Sequence, residues 1–166
     1  MESLADLRDL VRPDDAMIAL DMVQGYYHVL LHPSARTFCG FCWRGQYYVY
    51  SVLPFGLATA PRVFAKIMNV LARHWRSSGV RMLAYLDDWL FLVPPVEAPA
   101  LVARLLADCR AVRIAINREK SSLSVVRVLE HLGFEADLRA NVFRPTCTRW
   151  DRLMAEVECH VPTGHV

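Results

Sequence analysis

The sequence predicts an α+β fold, an antiparallel sheet backed by helices, and three stretches predict it. Residues 83–93, LAYLDDWLFLV, place two apolar arms of strand-like composition around an abrupt acidic pair, Asp87-Asp88, and read as a hairpin. Residues 16–20 are a continuous apolar run that ends at Asp21, the pattern of a buried central strand with a carboxylate at its exit. From Thr59 onward, PRVFAKIMNVLARHWR carries apolar residues at helical spacing.

Taken in order, Ser3 followed by LADLRDLV reads as an N-cap and a short amphipathic helix, stopped by Pro13 and the turn Asp14-Asp15. After the first strand, residues 22–28 form a tight turn or short helix, in which Gly25 lets the backbone approach a neighbour closely. Residues 37–43 and 46–52 are two strand-like runs joined at Arg44-Gly45, a hairpin rich in β-branched and aromatic residues. The chain turns at residues 53–56. The helix that follows has Thr59 as cap and Pro61 in its first turn, and Ser77-Ser78-Gly79 ends it. Its residues Val63, Phe64, Ile67, Val70 and Leu71 share one face, which is predicted to be core.

Pro94-Pro95 closes the acidic hairpin, and residues 97–112 read as a second amphipathic helix. Residues 126–134 have strand character, a further strand lies around 141–143, and Thr148 opens a C-terminal helix. The helices are expected on one face of the sheet.

The 166 residues fit one domain. A hydrophobic fraction of 54% and a mean hydropathy of +0.21 describe a module that packs against further protein. A formal charge of +2 does not announce nucleic-acid binding. Apart from Lys66 and Lys120 every basic side chain is Arg, the residue suited to phosphates and stacking, although a compositional bias explains that as well. Five cysteines, an odd number without framework spacing or a secretory leader, point to a reducing intracellular setting, cytoplasmic or nuclear. Cys39 and Cys42 have CxxC spacing, but no second pair follows to complete a zinc site. The longest uncharged run, residues 45–61, is interrupted by Pro54 and Gly56, so no membrane span is expected.

Taken alone, Asp87-Asp88 reads first as a turn, because Asp often makes one. Asp21 lies 66 positions earlier, at the end of a strand that an antiparallel sheet can bring beside the hairpin. Three carboxylates gathered there would suit two hard divalent cations, which activate a 3′-hydroxyl and stabilise a leaving pyrophosphate oxygen.

Five ordered motifs carry a resemblance. Leu20-Asp21-Met22 with Gly25-Tyr26-Tyr27-His28, LPFGLATAPRVF at 53–64, YLDD at 85–88, Asn117-Arg-Glu-Lys120 and Leu129-Glu-His-Leu-Gly-Phe134 follow one another as the palm motifs of reverse transcriptases do. The style is similar to that of LTR-type and DIRS-like retrotransposon enzymes. The resemblance covers residues 3–138.

It implies a polymerase palm with part of the fingers over residues 1–138, and a C-terminal strand and helix extension over 139–166 with little or no thumb. It implies an RNA-directed DNA polymerase that adds dNTPs to a primer on an RNA or DNA template with two Mg²⁺ ions, Mn²⁺ being an alternative. Asp21 and Asp87 would bind both metals, with Asp88 assisting. Tyr26 would sit under the sugar of the incoming nucleotide and exclude a 2′-hydroxyl; by its residues alone, Tyr26 reads as a core aromatic. Gly25, Phe55 and Gly56 would touch the nucleotide. Phe55 stands where some retroviral enzymes have glutamine.

Pro61, Arg62 and Tyr85 would contact template or primer, and His131, Leu132 and Gly133 would grip the primer end. Lys120 would protonate the departing pyrophosphate, against the plainer reading of a solvated lysine. Only 20 residues precede Asp21, where the family carries basic fingertips, and no ribonuclease H segment follows. A second expectation is therefore a truncated or captured retroelement fragment, which keeps the palm and binds nucleic acid or a partner without turnover. The missing fingers, thumb and ribonuclease H segments of a polyprotein are the further partners implied.

Overall fold

The computed structural model describes residues 4–160. Its frame is a four-stranded antiparallel sheet in the order β4-β5-β1-β6, built from β1 (Ala16–Asp21), β4 (Arg81–Tyr85), β5 (Asp88–Val93) and β6 (Ser122–Val126). The two most apolar runs of the sequence occupy its centre. Every residue of β5 after Asp88 is buried, as a strand covered on both faces requires.

Alternation along β1 and β5 divides the core in two. Ile18, Leu20, Trp89 and Phe91 face the helices α3 (Ala60–Ser77) and α4 (Ala98–Ala111). Met17, Leu83, Leu90 and Leu92 face the other way, where α1 (Leu4–Leu10) contributes Leu7. A small three-stranded sheet of β7 (Val128–His131), β8 (Phe134–Asp137) and β9 (Val142–Pro145) adds Leu129, Ala136 and Phe143 to that second layer. The expectation of helices on one face is thus corrected, because a sheet apolar on both sides must be covered on both sides. β9 lies within the predicted C-terminal extension and pairs with β8 from Phe134↔Pro145 to Asp137↔Val142. Helix α5 (Cys147–His160) follows.

Three further expectations change. The buried stripe of α3 is Ala60, Phe64, Met68, Ala72 and Trp75, whereas Val63, Ile67 and Val70 are exposed. The two stripes are neighbours on the helix, and side-chain size decides between them. Ala60 and Ala72 let the helix approach the sheet closely, while the Trp75 ring fills the space against Trp89 and Phe91 with centroids at 5.1 and 5.5 Å. Trp75 Nε1 also donates to Asp108 Oδ2 at 2.8 Å, which ties α3 to α4.

Residues 126–134 are two strands and a turn rather than one strand, since Leu132 and Gly133 take left-handed φ values of 53° and 75° and reverse the chain. The strand ahead of them, β6, pairs with β1 and escaped the sequence reading because its SLSVV lacks a continuous apolar run. The first hairpin is shorter than expected, β2 (Gly40–Trp43) against β3 (Gln46–Val49) across Arg44-Gly45, because α2 (Pro33–Arg36) and a turn take up residues 33–39. The expected cap at Ser3 lies outside the described residues. Among the described residues no helix is long and apolar enough to cross a membrane.

The loop before β1 is held by a buried ion pair. Asp15 is 3% exposed, and its Oδ1 accepts from Arg81 Nη2 at 2.6 Å while its second oxygen is bound by Arg81 Nη1. Arg81 Nη1 also donates to Leu10 O at 2.9 Å, so one guanidinium joins the end of α1, the entry to β1 and the edge strand β4. Arg81→Met strands a buried carboxylate and is expected to cost about 3–5 kcal/mol in urea unfolding; adding Asp15→Asn recovers most of the loss. An Arg81→Met midpoint equal to wild type contradicts this account.

Candidate active site

β1 ends and β5 begins at the same edge of the sheet, and there Asp21 stands directly opposite Asp88. Residues paired across antiparallel strands point to one face, so two carboxylates distant in sequence meet. The Asp88 carboxyl hydrogen-bonds to Asp21. Burial first, then that hydrogen bond and the charges of Asp87 and Asp21, raise the Asp88 pKa from 3.8 to about 6, against the pull of the Lys120 ammonium.

Asp87 sits in the two-residue turn between Tyr85 and Asp88. Its neighbour Leu86 has a φ of 50°, a conformation that costs a non-glycine residue about 1–3 kcal/mol, and the Leu86 side chain packs on the helix-side core. Met22 N–H donates to Asp87 O at 3.2 Å and ties the turn to the exit of β1. Gly25 follows in a 3₁₀ turn, Gly25–His28. A Cβ on Gly25 would stand 2.9 Å from the Asp87 Cβ and 2.9 Å from Phe64 Cζ, so the close approach expected of this glycine is an approach to the acidic turn itself.

Tyr26 is half-buried beside it, its ring 4.8 Å from Phe55 and 5.1 Å from Phe64. Burial, then the charges of Asp87 and Tyr85, raise its phenol pKa and keep it neutral. Phe55 is exposed, and Gly56 has the positive φ of 86° that its turn needs. Pro61 and Arg62 open α3, with Arg62 exposed.

The segment after α4 closes the third side. Asn117 N–H donates to Asp21 O at 2.8 Å, and Asp21 N–H donates to Ser121 Oγ at 3.0 Å. Between these anchors Asn117 Oδ1 accepts from the N–H groups of Glu119 and Lys120 at 3.2 and 3.3 Å, an Asx turn that fixes the loop bearing Lys120. His28 links the same segment to the 3₁₀ turn. Its Nε2 accepts from Ala115 N–H at 3.0 Å, which leaves Nδ1 to donate to Gly25 O at 3.0 Å. Sequence reasoning gave His28, Asn117 and Ser121 no role. Asn117 alone had a legible signal, its preference for Asx turns.

At the small sheet, His131 is 7% exposed, burial lowers its pKa to about 4, and its Nε2 has no partner among the described residues. The ring therefore lies beneath the hairpin, and Leu132 and Gly133 are the part of that motif open to a ligand. Arg149 of α5 donates to Leu132 O at 2.9 Å and stacks its guanidinium over Phe134 at 4.3 Å, supporting the turn from behind.

The structure thus gathers Asp21, Asp87, Asp88, Tyr26, Gly25, Phe55 and Tyr85 around one sheet edge. The donor set is oxygen only, which suits a hard cation. Among the described residues no three His, Cys, Asp or Glu side chains converge as a ready-made metal cage.

The sequence pattern described as "Reverse transcriptase (RNA-dependent DNA polymerase)" matches residues 2–136. The chain belongs to the reverse transcriptase family. It is 29% identical over 133 residues to the enzymatic polyprotein of Cauliflower mosaic virus (strain D/H), covering 80% of this chain and 19% of that protein. Protein P of Duck hepatitis B virus is 23% identical over 158 residues, covering 94% of this chain and 19% of its own length. The chain thus spans about a fifth of these relatives.

Among solved structures, the foamy viral protease-reverse transcriptase in complex with double-stranded DNA superposes with a TM-score of 0.79 at 19% identity, over 99% of this chain and 32% of that one. The same viral protein with an RNA/DNA hybrid gives 0.72 at 20% identity, over 93% of this chain and 20% of that one. At such identity the likeness concerns the fold, and it extends the antiparallel sheet and its helices to a reverse transcriptase polymerase domain.

The raised Asp88 pKa has a consequence for stability. Its contribution is complete below the ordinary carboxylate value of 3.8 and is lost as pH rises through about 6. In EDTA, Asp88→Asn is expected to raise the urea midpoint above wild type at pH 8 and to match it at pH 4. An equal displacement at both pH values would show that Asp88 ionisation is not the cause.

Proposed function

We propose that this reverse transcriptase chain is the core of an RNA-directed DNA polymerase, adding dNTPs to a primer 3′ end on an RNA or DNA template. The observation that carries the reading is the opposition of Asp21 and Asp88 with Asp87 in the adjoining turn, at the edge of a sheet belonging to this family. Asp21 and Asp87 would hold two Mg²⁺ ions, with Asp88 beside them. Bound there, the ions supply Lewis acidity for the attacking 3′-hydroxyl and the leaving pyrophosphate.

The chain's own residues position and select. Tyr26, braced by Phe55 and Phe64, would lie under the nucleotide sugar and exclude a 2′-hydroxyl. Phe55 and Gly56 would meet the nucleotide. Lys120, on its anchored loop near Asp88, would give a proton to the leaving pyrophosphate. Pro61, Arg62 and Tyr85 would contact the template strand, and Leu132 and Gly133 the primer end, with His131 shaping the turn from inside. The solved complexes with double-stranded DNA and with an RNA/DNA hybrid support nucleic-acid partners for this one. The polyprotein relatives support further partner segments supplying fingers, thumb and ribonuclease H. The motif style supports a retroelement origin.

A second reading is a palm that binds nucleic acid or a partner without turnover. The absence of three convergent ligating side chains among the described residues favours it. Primer extension with Mg²⁺ separates the two. Under the first reading extension occurs and Asp87→Asn lowers it about a hundredfold or more, while Tyr26→Ala raises incorporation of NTP relative to dNTP. Extension indifferent to Asp87→Asn refutes the site, and binding without any extension establishes the second reading.

A further inference from the structure

One part of the chain lies outside the site just described and is built unlike the rest. The β2–β3 hairpin forms a sheet of its own, and all eight of its strand residues are exposed. Six of these residues are hydrophobic or aromatic side chains of a kind that water disfavours, Phe41, Trp43, Tyr47, Tyr48 and Val49 with Cys42. Register sorts them. Phe41 opposes Tyr48 and Trp43 opposes Gln46, so these four share a face, and Tyr50 continues it two residues beyond Tyr48.

On that face the aromatic rings form a ladder. The Phe41 centroid is 5.4 Å from Tyr48, stacked, and 5.0 Å from Tyr50, and the Arg44 guanidinium lies 5.6 Å over Trp43. Trp43 is 61% exposed, Tyr48 46% and Phe41 43%, so each ring keeps a large part of its surface open. Five residues beyond Tyr50 the chain reaches Phe55, which packs on Tyr26 and Tyr27 at 4.8 and 5.3 Å.

Charge is distributed just as unevenly. From residue 22 to residue 86 there is no Asp or Glu, against seven Lys and Arg, although the whole chain carries only +2. Of these seven, Arg44 lies on the hairpin itself and Arg81 is already paired with Asp15. A partner for this surface must be anionic and must offer flat apolar faces to the rings. Unpaired nucleotides meet both demands, since every base has a π-face and every linkage a phosphate. Duplex DNA meets only the first, because its bases are already stacked on each other.

We propose that the β2–β3 hairpin is a stacking platform for single-stranded nucleic acid, with Phe41, Trp43, Tyr48 and Tyr50 taking bases and Arg44 taking phosphate. This rests on the polymerase reading for its context, a strand of template ahead of the primer, and not for its chemistry.

The test is fluorescence anisotropy of a labelled 20-nucleotide oligo-dT and of a labelled blunt duplex of equal length, in EDTA, with the full chain. The variants are Phe41→Ala with Trp43→Ala, and the conservative pair Phe41→Tyr with Trp43→Phe. Loss of two stacked bases predicts at least about a tenfold weaker hold on oligo-dT for the alanine pair, little change on the duplex, and recovery by the conservative pair. The hairpin contributes nothing to either core cluster, so circular dichroism is expected to match wild type.

Equal loss on both ligands, or none on either, overturns the platform. So does a wild-type chain that ignores oligo-dT but self-associates in a manner the alanine pair abolishes, which makes the face a protein contact. Assaying primer extension by the wild-type chain with Mg²⁺ alongside keeps the two readings apart. Oligo-dT binding that depends on the hairpin in a protein unable to extend primers retains the platform and removes the polymerase. Extension with hairpin-independent binding does the reverse.

Discussion

The antiparallel register of β1 against β5 is the constraint on which the rest of the structure depends. Six consecutive pairs run from Ala16↔Val93 to Asp21↔Asp88, and a slip of one residue would turn every side chain of one strand to the opposite face. Both faces are apolar, which leaves the hydrophobic effect little preference between the two orientations. The shapes on each side decide. Trp89 and Phe91 fit only where Trp75 meets them, and Leu90 and Leu92 only where α1 and the small sheet close over them. Core packing thereby fixes where two carboxylates meet at the sheet edge.

That meeting is electrostatically unfavourable, and the surrounding structure offsets it. Asp21 is gripped through its backbone by Asn117 and Ser121, Asp87 is pressed by the Gly25 backbone, and Leu86 holds a left-handed φ because its side chain is packed in the core. None of these contacts uses the carboxylate oxygens. The chain spends its backbone and apolar contacts on position and leaves the charged atoms to one hydrogen bond between Asp21 and Asp88. Two acids held opposite each other on paired strands, one of them with a raised pKa, are a pair whose mutual repulsion a positive charge would relieve.

Much of this was legible in the sequence, and the failures share a cause. The carboxylate-ended strand, the acidic hairpin and the long helix each carry a local signal, an apolar run, a turn pair or a periodic stripe, and each stands where expected. The buried stripe of α3 was misread because periodicity marks two adjacent strips, and only the partner surface selects Ala60, Met68 and Ala72 over Val63, Ile67 and Val70. β6 was missed because SLSVV draws its place from pairing with β1 rather than from its own residues. The roles of His28 and Ser121 were invisible for a related reason. Each acts on a group distant in sequence, Ser121 on Asp21 at a separation of 100 residues, and no local pattern encodes such a partner.

The hairpin shows the converse case, in which a sequence feature has no explanation inside the fold. Phe41, Trp43 and Tyr48 have the composition of a core strand, and the two core clusters close without them. Leaving such rings in water costs free energy on the order of 1 kcal/mol or more each. A folded chain gains nothing from that exposure. The same residues become favourable once bases or another surface cover them, so the ladder is best understood as half of an interface. The Arg44 guanidinium over Trp43 adds a positive charge to that half, which a negatively charged partner complements.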